Sequence, residues 1–263
     1  MKMIADNLRI TRPEIRRALK RLDPEPVQDL VNACEARGAW AIDVNTGHLG
    51  KQAEPGMRFF MDAVQAATDL PLLIDTANPD AMAAGVKAAK NRIILNGFSL
   101  EPRKLERILP LARDYDADIV GFLLYPDSRV PTDAAQRFEV AMELMEAAEA
   151  AGVAKERVII DPVIPPLAWA EGIIQAREVV KVIRTLPDLL GFPVKTIGGI
   201  SNLGTNAPDR AARRVIEQSY EAMLASAGLS FALLDILNPD LVEAARVSGI
   251  LATENIFSWG MVS

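Results

Sequence analysis

Asp43 and Asn45, Asp75, Asn96, Asp161, Ser201 and Asn202, and Asp235 each close a short run of apolar residues. An acid or amide at such a place is often only a turn former or a helix N-cap. Asp161, directly before Pro162, is open to that reading. Four carboxylates and three amides recurring at equivalent places point instead to one polar rim. Carboxylates accept hydrogen bonds, whereas carboxamides both donate and accept. Together they suit the edge of a flat, neutral heterocycle that carries several N–H donors.

Other ligands fit this set less well. A phosphate calls for backbone N–H groups and cationic side chains. Gly198 and Gly199 supply glycines, but Asp235 repels the anion. A divalent cation favours carboxylates, yet no H-x-D or D-x-D pair concentrates ligands on this rim, so no metal is expected. A Schiff-base lysine belongs near the top of a strand. Lys195 begins its run and is expected low in the fold. His48, in the loop after Asp43–Gly47, titrates near neutrality, but a lone loop histidine is usually just solvated. Trp169 either closes over the ligand or packs at the rim or core, and Cys34 is a small buried residue. Arg210 reads as part of a solvated face with Arg213 and Arg214, in preference to a contact for an acidic ligand tail or partner surface.

The elements that must place these groups repeat along the chain. The runs are Ala39–Asn45, Pro71–Thr76, Asn91–Gly97, Ala117–Leu124, Arg157–Pro162, Pro193–Asn202 and Leu229–Asp235. Continuous apolar runs of this length read as parallel strands buried on both faces. Helical spacing separates them, over Met57–Thr68, Pro79–Ala89, Pro102–Tyr115, Asp133–Ala151, Ile173–Leu186, Asp209–Gly228 and Pro239–Gly249. Asn78-Pro79 and Asn238-Pro239 carry helix-entry chemistry, and Gly38, Gly152 and Gly228 suit left-handed C-caps. A weaker first strand at Met1–Asp6 brings the total to about eight units, as a (β/α)8 barrel requires. A G-x-G-x-x-G after an early strand would favour an open doubly wound sheet, and none is present. The fold class is therefore α/β, a (β/α)8 TIM barrel in one domain spanning residues 1–263. Its active site is expected at the carboxyl ends of the strands.

Composition sets the outer bounds. Half of the 263 residues are hydrophobic, enough for a large core, and the net charge is -6. An acidic chain has no global attraction for nucleic acid or an anionic membrane. One cysteine and one histidine exclude a disulfide framework and a Cys/His zinc site. Met1–Ile10 lacks the apolar core of a secretory signal, and no apolar stretch reaches the ~18 residues of a membrane span. The expected location is cytoplasmic.

The motifs D-V-N-T-G (Asp43–Gly47), L-I-D-T (Leu73–Thr76), I-L-N-G (Ile94–Gly97), I-I-D-P (Ile159–Pro162) and G-G-I-S-N (Gly198–Asn202) carry a family. In order and spacing the chain resembles the pterin-binding barrels. It looks most like the methyltetrahydrofolate:corrinoid-protein methyltransferases, relatives of dihydropteroate synthase and of the folate domain of cobalamin-dependent methionine synthase. Two departures stand out. Ile4–Arg9 reads I-A-D-N-L-R where the family opens I-G-E-R-I-N, with Asp6 and Asn7 as stand-ins, and Thr205 replaces a family Gln.

The resemblance implies that Asp75, Asn96 and Asp161 hold the aminopyrimidine edge of a pterin. Asn202 would reach the N5 nitrogen that carries the methyl group, making Asn202, Asp75 and Asn96 the catalytic set. Asp43, Asn45, Gly199, Ser201 and Asp235 would line the same substrate pocket. It further implies (methyl)tetrahydrofolate as substrate, a corrinoid carried by a partner protein that docks over the mouth, and a homodimer. Dihydropteroate synthase competes, although its cationic S-R-K after the seventh strand is G-I-S-N here. A metal-dependent barrel lyase and a non-catalytic folate-binding module also remain open.

Overall fold

The apolar runs form eight parallel strands that close into a barrel in chain order. They are β1 (Lys2–Arg9), β2 (Ala41–Asn45), β3 (Leu72–Asp75), β4 (Ile93–Phe98), β5 (Asp118–Phe122), β6 (Val158–Asp161), β7 (Lys195–Gly199) and β8 (Phe231–Leu234). Around them run α1 (Pro13–Arg21), α2 (Glu25–Ala36), α3 (Ala53–Gln65), α4 (Pro79–Ala88), α5 (Pro102–Asp114), α6 (Ala134–Ala150), α7 (Gly172–Leu190), α8 (Arg210–Ala227) and α9 (Pro239–Leu251). The computed structural model describes residues 1–47, 49–253, 256 and 258–261. No described helix is long and apolar enough to cross a membrane.

Side chains alternate across each strand, which divides the apolar residues into two cores. Ile4, Ala41, Leu73, Ile94, Val120, Ile159, Ile197 and Phe231 pack together inside the barrel. Their strand neighbours, such as Ile42, Ile74, Leu95, Ile119 and Ile160, belong to the core beneath the helices. Burying each aliphatic side chain is worth roughly 1.5–3 kcal/mol. The inner plug fills the barrel, so a ligand can enter only above it. Polar side chains close the amino end: Asp118 bonds Arg92 at 2.5 Å and lies 4.0 Å from Lys195. Lys195 Nζ also donates to the Glu156 carbonyl at 2.8 Å, so this lysine sits low, as its place in the sequence predicts.

Several expected ends hold. Asn78 Oδ1 accepts from the Asp80 and Ala81 N–H groups at 2.9 and 3.3 Å. Gly228, at φ 99°, ends α8 in the left-handed region. Three points differ. The first strand runs three residues beyond Asp6, to Arg9. The third helix starts at Ala53 rather than Met57, because Pro55 falls in its first turn, where proline costs little. Asn238 makes no side-chain cap. Its loop is held by Asp235, which accepts from Leu237 N at 3.1 Å, and by Asn7, which accepts from Ile236 N at 3.0 Å.

Candidate functional site

Two residues above the inner plug, the strands change from apolar to polar. Leu73 is followed by Asp75, Ile94 by Asn96, Ile159 by Asp161 and Ile197 by Gly199, all facing the barrel axis. On β2 the alternation continues from Ala41 through Asp43 to Asn45. Register then sets one polar row across four strands: Arg9 pairs with Asn45, Asn45 with Asp75, and Asp75 with Asn96.

Within the row, Asn45 Nδ2 donates to Asp75 Oδ2 at 2.6 Å, while its Oδ1 accepts from Gly47 N at 2.9 Å. Asn96, the register partner of Asp75 on β4, flanks the same carboxylate from the other side. Gly97 lets β4 lie this close to β5, since a Cβ there would run into the Val120 carbonyl oxygen.

Burial governs the charges. It pushes Asp75 up to about 6, against the opposing pull of Asn96, Arg9 and Asn45. Asp43 lies one step deeper, 1% exposed, and both its carboxylate oxygens lack a hydrogen-bond partner among the described residues. Burial and then the neighbouring Asp75 hold its pKa well above the usual carboxylate range, which favours its protonated form. Asp161, pushed up to about 7 by burial, accepts from Val163 N at 2.7 Å. Val163 has φ 61°, a left-handed backbone rare for a β-branched residue. The carboxylate thus pins the turn it opens. Behind that turn the fully buried Arg137 donates to the Pro162 carbonyl at 3.2 Å.

The opposite wall comes from β1, β7 and β8. Arg9 Nε donates to Asp6 at 2.5 Å and its Nη2 to Ser201 Oγ at 3.2 Å. Asp235 is exposed and accepts from Asn7 Nδ2 at 2.5 Å. Asn202 is also exposed, and its amide folds over Gly199, where an added Cβ would meet Nδ2 at 3.2 Å. The glycine therefore makes room for that amide.

Asp43, Asn45, Asp75 and Asn96 thus lie together on β2, β3 and β4, with Asp161 on the far side of β5. Ser201 and Asp235 join a second group through Asp6, Asn7 and Arg9, and Asn202 stands over Gly199. Arg9 was not foreseen. β1 carries one extra residue between Ala5 and Leu8, which shifts the alternation and turns Arg9 into the mouth. Only the D-N-L-R break in the apolar pattern hints at it. Arg210, Arg213 and Arg214 line a cleft beside the mouth instead of standing apart. Trp169 is 48% exposed and Cys34 is buried. His48 lies outside the described residues. Among the described residues no three His, Cys, Asp or Glu side chains group to hold a metal.

Residues 11–234 of this chain match a family described as pterin binding enzyme. The chain belongs to the pterin-binding enzymes. It is 25% identical over 248 residues to a methylcorrinoid:tetrahydrofolate methyltransferase of Eubacterium limosum, covering 93% of this chain and 88% of that one. Its fold is shared by dihydropteroate synthase from Xanthomonas albilineans in complex with 7,8-dihydropteroate, with a TM-score of 0.69, 20% identity and 95% and 93% of the two chains covered. The dihydropteroate synthase of Thermus thermophilus gives 0.67, 19%, 95% and 94%. The mouth of this pterin-binding enzyme carries the carboxylates Asp75 on β3 and Asp161 on β6, with the amides of Asn45, Asn96 and Asn202 on other strand ends.

Proposed function

We propose that this pterin-binding enzyme moves a methyl group between N5 of tetrahydrofolate and the cobalt of a corrinoid protein. The observation that carries the reading is the polar row Asn45–Asp75–Asn96, bonded between Asn45 and Asp75, with the Asn202 amide on the end of β7 over Gly199. The Eubacterium limosum relative supports the same chemistry.

Asp75 and Asn96 take the N–H-rich edge of the pterin, and Asp161 takes the ring from the far side. Ionised carboxylates in a half-buried site make charge-assisted bonds to such donors. Asn45 holds Asp75 in place, and Asp43, neutral beneath it, adds no second negative charge. Ser201 and Asp235, tied through Arg9 and Asn7, shape the wall on which Gly199 and Asn202 sit. When methyltetrahydrofolate is the donor, the C–N5 bond breaks, the methyl group leaves without its electron pair, and N5 gains a proton. The corrinoid supplies the electron pair that accepts the methyl group. Asn202 cannot give up a proton, so it acts as a preset hydrogen-bond donor whose interaction strengthens as electron density grows on N5. The proton arrives through water beside Asp75 and Asn96.

The corrinoid is carried by a separate protein that docks over the mouth. Exposed Ile173 and Ile174 on α7 and Val215 on α8 support a second copy of this chain packed against those helices.

The test is to add enzyme and methyltetrahydrofolate to a cobalt(I) corrinoid protein and follow the visible spectrum. Conversion to methylcobalt, unaffected by EDTA, is the expected result. An unchanged spectrum despite folate binding would leave only a passive binder. The five arginines beside the mouth favour a second reading, a dihydropteroate synthase releasing pyrophosphate. Condensation of pterin pyrophosphate with aminobenzoate would establish it.

A further inference from the structure

The chain has a net charge of -6, yet the cleft beside the mouth reverses that sign. It encloses about 610 Å³ and is lined by five guanidinium groups against three carboxylates. A volume of that order holds a drug-sized ligand rather than a single carboxylate. Its walls are the end of β1 with the segment after it, the first turns of α8, and the loop into α9.

The three carboxylates are already engaged. Asp6 is held by Arg9, Glu217 accepts from Arg213 at 2.6 Å, and Asp235 accepts from Asn7. That leaves Arg12, Arg210 and Arg214 facing the cleft with weaker commitments. Arg12 reaches Glu14 only at 3.8 Å, and Arg214 meets Asp240 at 2.9 Å between two exposed side chains. Among the described residues Arg210 makes no ion pair. Exposed pairs of this kind exchange partners at little cost. Leu237 and Pro239 add an apolar surface to the same cleft. An aromatic ring followed by several carboxylates is the chemistry these walls complement.

The cleft meets the mouth at Arg9 and Ser201, which belong to both. We propose that it binds the tail of the folate, the aminobenzoyl ring against Leu237 and Pro239 and an oligo-γ-glutamyl chain along the arginines. The enzyme would then select folates with several glutamates over those with one. This inference rests on the folate reading of the mouth.

Calorimetric titration of the intact enzyme with the mono- and triglutamate forms of 5-methyltetrahydrofolate tests it. At low salt the triglutamate should bind about tenfold tighter, and the advantage should shrink as salt screens exposed charges. The double substitution Arg210→Gln, Arg214→Gln should bring the ratio near one, with an unchanged melting temperature showing that the fold is intact. Equal wild-type affinities overturn the tail site and leave the methyltransferase reading standing. A triglutamate advantage that survives the double substitution also overturns it. So does a double variant that keeps the advantage but loses docking of the corrinoid protein, since the arginines would then serve the partner. If neither folate binds, the reading of the mouth falls and the tail site falls with it.

Discussion

Asn45 Nδ2 lies 2.6 Å from Asp75 Oδ2, a contact set by the β2–β3 register that places the two residues side by side. Because Gly47 fixes the other end of the same amide at 2.9 Å, Asn45 cannot turn away, and Asp75 keeps one orientation. The carboxylate is therefore preset for a ligand instead of being drawn in by one. Asp75→Ala should cost folate binding roughly 1.5–3 kcal/mol, about ten- to hundredfold in Kd. Titration calorimetry with methyltetrahydrofolate measures this, and an undiminished affinity would remove Asp75 from the site.

Asn202 should show the opposite division. A single preset donor to developing charge is typically worth about 10²–10³ in rate, so Asn202→Ala should slow methyl transfer by that much. Folate affinity should change only severalfold. Gly199→Ala should reproduce part of the rate loss, because its Cβ would press on the Asn202 amide at 3.2 Å. Equal losses of rate and affinity would contradict the assignment.

The pH dependence of binding follows from the raised carboxylates. Burial pushes Asp161 up to about 7 and Asp75 up to about 6. Each must be ionised to accept from the ring, so affinity should be level above both values. It should fall as pH drops through about 7 and then about 6, approaching tenfold per pH unit for each group. Arg9 pulls Asp75 down. Arg9→Gln should therefore move the lower inflection to higher pH. Binding that stays flat from slightly acid to alkaline pH would show that these carboxylates do not hold the ligand.

Stability should respond to Asp43 in a direction that burial dictates. Burial raises this carboxyl well above the about 3.9 at which an unfolded aspartate ionises. Unfolding therefore releases a proton above that pH, and the group's contribution to stability is lost as pH rises toward its folded value. Asp43→Asn removes the release. Relative to wild type the variant should gain about 1.4 kcal/mol for each pH unit in that window. Urea unfolding at mildly acid and at neutral pH measures the difference. The same offset at both would mean that Asp43 is charged in the fold.

Much of the site was legible because strand alternation is regular where the chain is regular. Asp75, Asn96 and Asp161 each stand two residues beyond a plug residue, so a polar residue closing an apolar run had to face the axis. The barrel followed from repeated runs of one kind. Arg9 was hidden by the extra residue in β1, which reverses facing at a point no apolar pattern marks. The arginine cleft was hidden for another reason. Its walls come from α8, β1 and the loop into α9, which are far apart in sequence and meet only when the barrel closes β1 onto β8. Helical periodicity placed Arg210, Arg213 and Arg214 on one face but carried no sign of what that face meets.

The most direct test is a structure of the enzyme with tetrahydrofolate bound. The expected result is a pterin seated between Asp75 with Asn96 on one side and Asp161 on the other, with N5 within about 3.2 Å of the Asn202 amide. A pterin bound outside the barrel mouth, or one whose N5 faces away from Asn202, would contradict it.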